Sequence, residues 1–247
     1  MHPKTVRRWP TTGFVMISGK ESEPSPRIDL VGAALEGADK GTRQTVQKRV
    51  LHRLRAAILN GQIGAGTRLV QSDLARVFNV STTPIREALR HLEAEGLVEI
   101  DAYRGGVVRT LSREELEEIY NLRALIEPES LRRAVPVPKA VLDAAVRIHE
   151  QMMSAETSGE FATLNQEFHL TLHQASGSRL LVKMIGLLMD PAVAYVSASL
   201  RARAELWQRS VDEHSELLDA LRRDDVEAAV SIQLKHLQMP REVLELE

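Results

Sequence analysis

Asn165, His169, His214 and His236 are the residues whose types and spacing point to chemistry. Asn165 and His169 are four apart in a helical pattern and so share one face. His214 lies in the stripe Val211, His214, Leu218, Leu221, which points inward. His236 follows Ile232 by one turn, stands beside Leu237, and also points inward. Three imidazoles and an amide oxygen drawn from three helices can converge in a core. That donor set suits a divalent metal ion such as zinc or nickel and leaves coordination positions open. Other readings stand beside it. A single histidine on an apolar stripe is commonly a hydrogen-bonded core residue. His169 can also pair with His173, four residues on, in a surface site. A three-histidine site could activate water, but the sequence has no HExxH, no bridging carboxylate pair and no evident general base beside the histidines.

The elements that must position these residues are helical. From Ser112 onward the apolar period is that of helices, in six segments near 113–133, 138–155, 158–175, 178–202, 204–222 and 224–245. Ser112-Arg113-Glu114-Glu115 is a helix-start signature with acid in the first turn. Pro136 and Pro138 separate the first two segments, Gly159 opens the third and Gly177 closes it. Pro191 should kink the fourth or split it. The expected architecture is an antiparallel all-α bundle of about six helices over residues 111–247.

Residues 44–110 read differently. An amphipathic helix, Val46 to Asn60, carries Val50, Leu51, Leu54 and Ile58. A second, Ser72 to Asn79, is broken at Asn79-Val80-Ser81. A third is capped by Ser81 or Thr83 and has Pro84 in its first turn. Ile85, Ala88, Leu89 and Leu92 form its inward stripe, while Arg86, Arg90 and His91 lie off it. Leu97-Val98-Glu99-Ile100 alternates as a strand, and Val107-Val108 returns from an Arg104-Gly105-Gly106 tip. Helix, helix, helix and basic wing make a winged helix-turn-helix, a module that lays one helix in the DNA major groove. The fold class is therefore mainly α, with a small β wing.

The chain has 247 residues and a net charge of −2, unevenly spread. Residues 44–110 hold 10 Lys/Arg against 6 Asp/Glu, residues 1–43 hold 7 against 5, and residues 111–247 hold 15 against 23. A basic segment joined to an acidic one suits DNA binding by the first. The absence of cysteine excludes disulfides and thiolate metal sites. No apolar run reaches the roughly 18 residues of a membrane span, and Arg7-Arg8 precede no signal-peptide core. A cytoplasmic location without membrane contact is expected. Residues 1–43, with Glu21-Ser22-Glu23-Pro24-Ser25-Pro26, read as a disordered tail.

Several runs resemble a known family. Leu74-Ala75, Val80 through Leu89, Leu92 and Glu95-Gly96-Leu97-Val98 are similar to the GntR family of bacterial transcription regulators. The resemblance implies a homodimer on a palindromic double-stranded operator. Ser81, Thr82, Thr83 and Arg86 would sit at the groove, with Arg104 and Gly105 at the wing. Position 82 is often arginine in the family and is threonine here, which removes one guanine contact. Further on, Leu122-Arg123, Ile126-Glu127, Asn165 with Phe168-His169, Glu213-His214, Ala229 and Lys235-His236-Leu237 resemble the ligand-binding (FCD) domain of the FadR-type branch. A count of six helices favours the VanR-like subgroup. The resemblance implies a metal held by one Asp and three His, and a small carboxylate effector paired with Arg123. Asn165 occupies the Asp position, which departs from that pattern.

The resulting expectation is a non-enzymatic transcription regulator. A small organic acid, bound in a metal-containing helical domain, would change operator affinity through the linker Arg109 to Arg113. In a rival reading the metal ion is itself the signal. A metal-dependent hydrolase fused to a DNA-binding head is a third.

Overall fold

The structure is a computed structural model describing residues 46–101, 105–203 and 205–244. The head begins with α1 (Val46–Leu59), β1 (Arg68–Leu69), α2 (Gln71–Phe78) and α3 (Thr82–Ala94), and ends with β2 (Val98–Asp101) and β3 (Gly105–Val108). Its hydrophobic core is built by Leu54, Leu74, Ile85, Leu89 and Leu92, all fully buried. These are the stripe residues of three amphipathic helices. Asn79 takes the left-handed conformation that ends α2, with φ 52°, a backbone region asparagine tolerates better than most residues. Ser81 sits at the N-cap of α3 with extended backbone, yet its side chain makes no capping bond. Its expected place holds and its expected capping contact is not formed.

The wing is a three-stranded antiparallel sheet in the order β1-β3-β2, with Val98 opposite Val108 and Arg68 opposite Val107. Strand β1 was not expected, because two residues are too few to show a period of two. Gly105 has φ +82°, and a Cβ there would stand 2.7 Å from the Leu69 carbonyl oxygen. Only glycine lets β3 start so close to β1.

Seven helices follow: α4 (Arg113–Ala134), α5 (Lys139–Met153), α6 (Ser158–Gln174), α7 (Arg179–Met189), α8 (Ala192–Ala202), α9 (Glu205–Arg222) and α10 (Val226–Leu244). Ser112 opens α4 with a full capping box: its hydroxyl accepts from Glu115 N, and Glu115 Oε2 accepts from Ser112 N at 2.8 Å. The segment expected at 178–202 is two helices. Pro191 lacks the N–H that would continue the ladder, and the pieces meet at a 49° bend. The six-helix count thus becomes seven among the described residues, and the argument for the VanR-like subgroup loses its basis. Helix α6 lies in the middle of the bundle, packed against α4, α5, α7 and α8. No single described helix is long and apolar enough to cross a membrane.

Candidate metal centre and nucleic-acid interface

The bundle core brings the three expected histidines together. His169 comes from α6, His214 from α9 and His236 from α10, and one ring nitrogen of each lies within 4.8 Å of the others. The Nε2 atoms of His169 and His214 are 3.2 Å apart. All three rings are buried, and so is Asn165, one turn before His169. The Asn165 Oδ1 atom has no hydrogen-bond partner. A buried amide oxygen without a partner is costly, and it sits on the helix face that carries His169.

Burial holds His169 and His214 well below the usual imidazole range, and the neighbouring histidines add to this. Both rings are therefore neutral at physiological pH, the form that offers a lone pair to a cation. His236 is oriented from behind: its Nδ1 lies 2.9 Å from Glu213 Oε2. A carboxylate accepts and never donates when ionised, so Nδ1 carries the proton and Nε2 is the nitrogen that could offer a lone pair to a cation. Burial would raise the Glu213 carboxyl, but the His236 hydrogen bond and Arg209, at 3.0 Å, keep it below the ordinary value. Glu213 was quoted in the family resemblance without a role. Its signal was a carboxylate directly before a stripe histidine.

A second polar layer adjoins the first. Arg123 of α4 is buried, and its Nε donates to Glu127 Oε1 at 2.6 Å. Gln233 Nε2 of α10 donates to Glu127 Oε2 at 2.6 Å. Burial alone would raise Glu127, but Arg123 and then His173 bring it down to about 2. His173 Nδ1 lies 3.0 Å from Ser130 Oγ. His173 is thus a buried member of this layer, and the surface pairing with His169 is not formed. Arg123 reaches inward as expected, with Glu127 as its partner within the same helix. Glu127, like Glu213, was quoted in the resemblance without a role, and Gln233 was missed, because a buried acid or amide gives no periodic signal of its own.

At the other end of the molecule, Ser81, Thr82, Thr83 and Arg86 lie exposed on the first turns of α3. Arg86 keeps only a loose contact with Glu87, at 3.8 Å. Gly105 lies at the start of β3, and Arg104 falls outside the described residues. Four polar side chains thus stand together on the exposed start of a helix that packs against the wing strand β2.

Comparison with known proteins agrees with this layout. Residues 46–108 match the bacterial regulatory proteins of the gntR family, and residues 118–239 match the FCD domain. The gluconate operon transcriptional repressor of Bacillus subtilis is 30% identical over 76% of this chain and 79% of its own length. The Nta operon transcriptional regulator of Aminobacter aminovorans is 32% identical over 70% of this chain and 82% of its own. Among solved structures, E. coli McbR/YncC shares the fold with a TM-score of 0.67 at 23% identity, over 82% of this chain and 98% of that one. With a helix-turn-helix head and a helical domain that both match, the chain belongs to the GntR family of bacterial regulatory proteins, FadR-type branch with an FCD domain, and is a DNA-binding transcription regulator.

Proposed function

We propose that this regulator is a cytoplasmic homodimer whose operator affinity is set by a small organic acid, bound beside a divalent cation in the bundle. The observation that carries the reading is the convergence of three buried imidazoles with the unpartnered Asn165 oxygen. Asn165, His169, His214 and His236 would hold the ion, zinc or nickel, which would supply positive charge and open positions for a carboxylate. Arg123 would meet the same anion through its Nη edge, since its Nε is committed to Glu127. The names of two relatives refer to gluconate and Nta operons, so gluconate is the first acid to try.

The head would read a palindrome through Ser81, Thr82, Thr83 and Arg86, with Arg104 and Gly105 at the wing. A palindrome calls for two heads, hence for a second copy of the chain. Leu122 and Leu125 on α4 and Leu180, Met184 and Leu187 on α7 are exposed on two helices that pack together. Such an apolar strip fits a self-complementary contact.

The test is calorimetric titration of zinc and nickel into chelator-stripped protein, followed by gluconate and citrate. Operator duplexes selected from a random pool then report DNA affinity with and without each addition. Uptake of one ion per chain at micromolar concentration or tighter, with an acid-dependent change in duplex affinity, is expected. No uptake overturns the metal reading, and unchanged duplex affinity overturns the effector reading.

A further inference from the structure

The head and the bundle cap one another's helices. The last four carbonyls of a helix and its first N–H groups have no partners within the helix. The carbonyl of Leu59, the last residue of α1, accepts from Ser197 Oγ at 2.5 Å and from Arg201 Nη1 at 2.8 Å, both on α8. Arg201 also places a positive charge at the negative end of α1. In return, Asn60 of the head accepts through Oδ1 from the backbone N–H of Gly159, in the first turn of α6, at 3.1 Å. Ser158 Oγ, 3.0 Å from Ser197 Oγ, ties the two caps together. The fit is close: a Cβ on Gly159 would stand 2.4 Å from Asn60 Oδ1 and 3.1 Å from the Leu59 carbonyl carbon. Ala162 of α6 and Val193 of α8 complete the head's own hydrophobic core.

Helix α6 thus carries Gly159 and Ala162 at the joint and Asn165 and His169 at the histidine site. Gly159 and His169 are about 15 Å apart along the helix at 1.5 Å per residue. Helix α1 in turn packs on α3, whose exposed start faces DNA. The path runs from the site through α6 to α1 and α3, separate from the covalent linker at Arg109 to Arg113.

We infer that this reciprocal capping, of Leu59 by Ser197 and Arg201 and of Gly159 by Asn60, is the joint that couples the histidine site to the DNA-binding head through α6. The inference rests on the metal reading above. A cation on His169 and Asn165 fixes the middle of α6, and the caps pass that constraint to the end of α1. Coupling of this kind requires the joint to hold differently in the two states of the site.

The experiment uses full-length protein, stripped or loaded with zinc alone, and follows amide exchange over residues 56–63. Zinc should slow exchange there at least tenfold in the wild type. In Arg201→Ala and Asn60→Ala, at saturating zinc, the slowing should be lost, and by reciprocity calorimetric zinc affinity should weaken by up to about the same tenfold. Gly159→Ala should act in the same way, by wedging the joint open. Circular dichroism shows that each variant is folded, and the two surface truncations keep the test alive should the wedge fail to fold. The joint is overturned if zinc binds the wild type without slowing exchange at 56–63, or if all the folded variants retain the slowing. Absence of zinc uptake by the wild type is a distinct result, seen in the calorimeter, and brings down the metal reading and this inference together.

Discussion

The Nε2 atoms of His169 and His214 face each other at 3.2 Å inside the bundle. Two neutral imidazoles share that distance in only two ways. One donates its proton to the other, or a cation takes both lone pairs. In the second case both Nδ1 atoms carry protons, and the Nδ1 of His214 has no hydrogen-bond partner among the described residues.

The ligand set makes the metal prediction specific. An amide at position 165 leaves a divalent site at about +2, whereas a carboxylate would leave about +1. Asn165→Asp should therefore tighten zinc binding and weaken binding of an acid such as citrate. His214→Ala should lose zinc and acid together while duplex binding survives. Calorimetry on stripped wild type and both variants checks this. Weaker zinc binding in Asn165→Asp would refute the charge argument.

Glu213 sets the tautomer of His236 from behind. Glu213→Gln keeps the shape but removes the charge, and an amide can turn its NH2 toward Nδ1. Zinc affinity should fall about 10- to 100-fold, the usual cost of losing an outer-shell partner. Nitrogen-15 spectra of the imidazole rings should show His236 losing its single tautomer. An unchanged affinity would make Glu213 a purely structural acid.

Acid should destabilise the metal-free protein in two stages. His169 and His214 are held well below 6.5 by burial. Below pH 6.5 the unfolded chain takes up protons that the folded chain refuses. Folding stability is then lost at about 1.4 kcal/mol per pH unit for each such histidine. Glu127, brought from 4.5 to about 2, extends the loss below pH 4.5. Melting temperatures of stripped protein between pH 7.5 and 4 measure this, and a flat profile from pH 7 to 5 would contradict the burial argument.

Arg86→Ala should cost about 1–3 kcal/mol of specific duplex affinity if its guanidinium reads a base edge. Non-specific binding should change little, and both should fall steeply with salt as counterions are released. Fluorescence anisotropy with the selected operator and a scrambled duplex separates the two. Full specific affinity in the folded variant would remove Arg86 from the interface.

Leu125→Glu combined with Leu187→Glu should convert a dimer to monomers, because both side chains are among the most exposed apolar groups described. Light scattering reads the mass directly. An unaltered dimer would move the interface elsewhere.

Much of this was legible in the residues. The inward placement of His214 and His236 followed from apolar stripes, and the start of α4 from Ser112 and Glu115. The third stripe of the head, Ile85 to Leu92, is buried as its period required. The split at Pro191 stood open in the sequence, since proline can kink a helix or end it, and tertiary packing decides. The joint at Leu59 and Gly159 was illegible for a different reason. Its partners are 99 to 142 residues apart, and backbone groups carry no sequence signature. The Arg123–Glu127 pair is an ordinary i, i+4 spacing, which reads the same on a surface as in a core.

The polar layer around Glu127 has a consequence for alignment. Gln233 and His236 are three residues apart on α10, and His173 and His169 four apart on α6, so each helix contributes once to each layer. A slip of α10 by one turn would move it 5.4 Å, pulling Gln233 off Glu127 as it pulled His236 off the other histidines. The Glu127 layer therefore acts as a vernier for the histidine layer. It sets helix register with bonds separate from the histidine and Asn165 donors, which leaves a position such as 165 chemically free to vary without misaligning its neighbours.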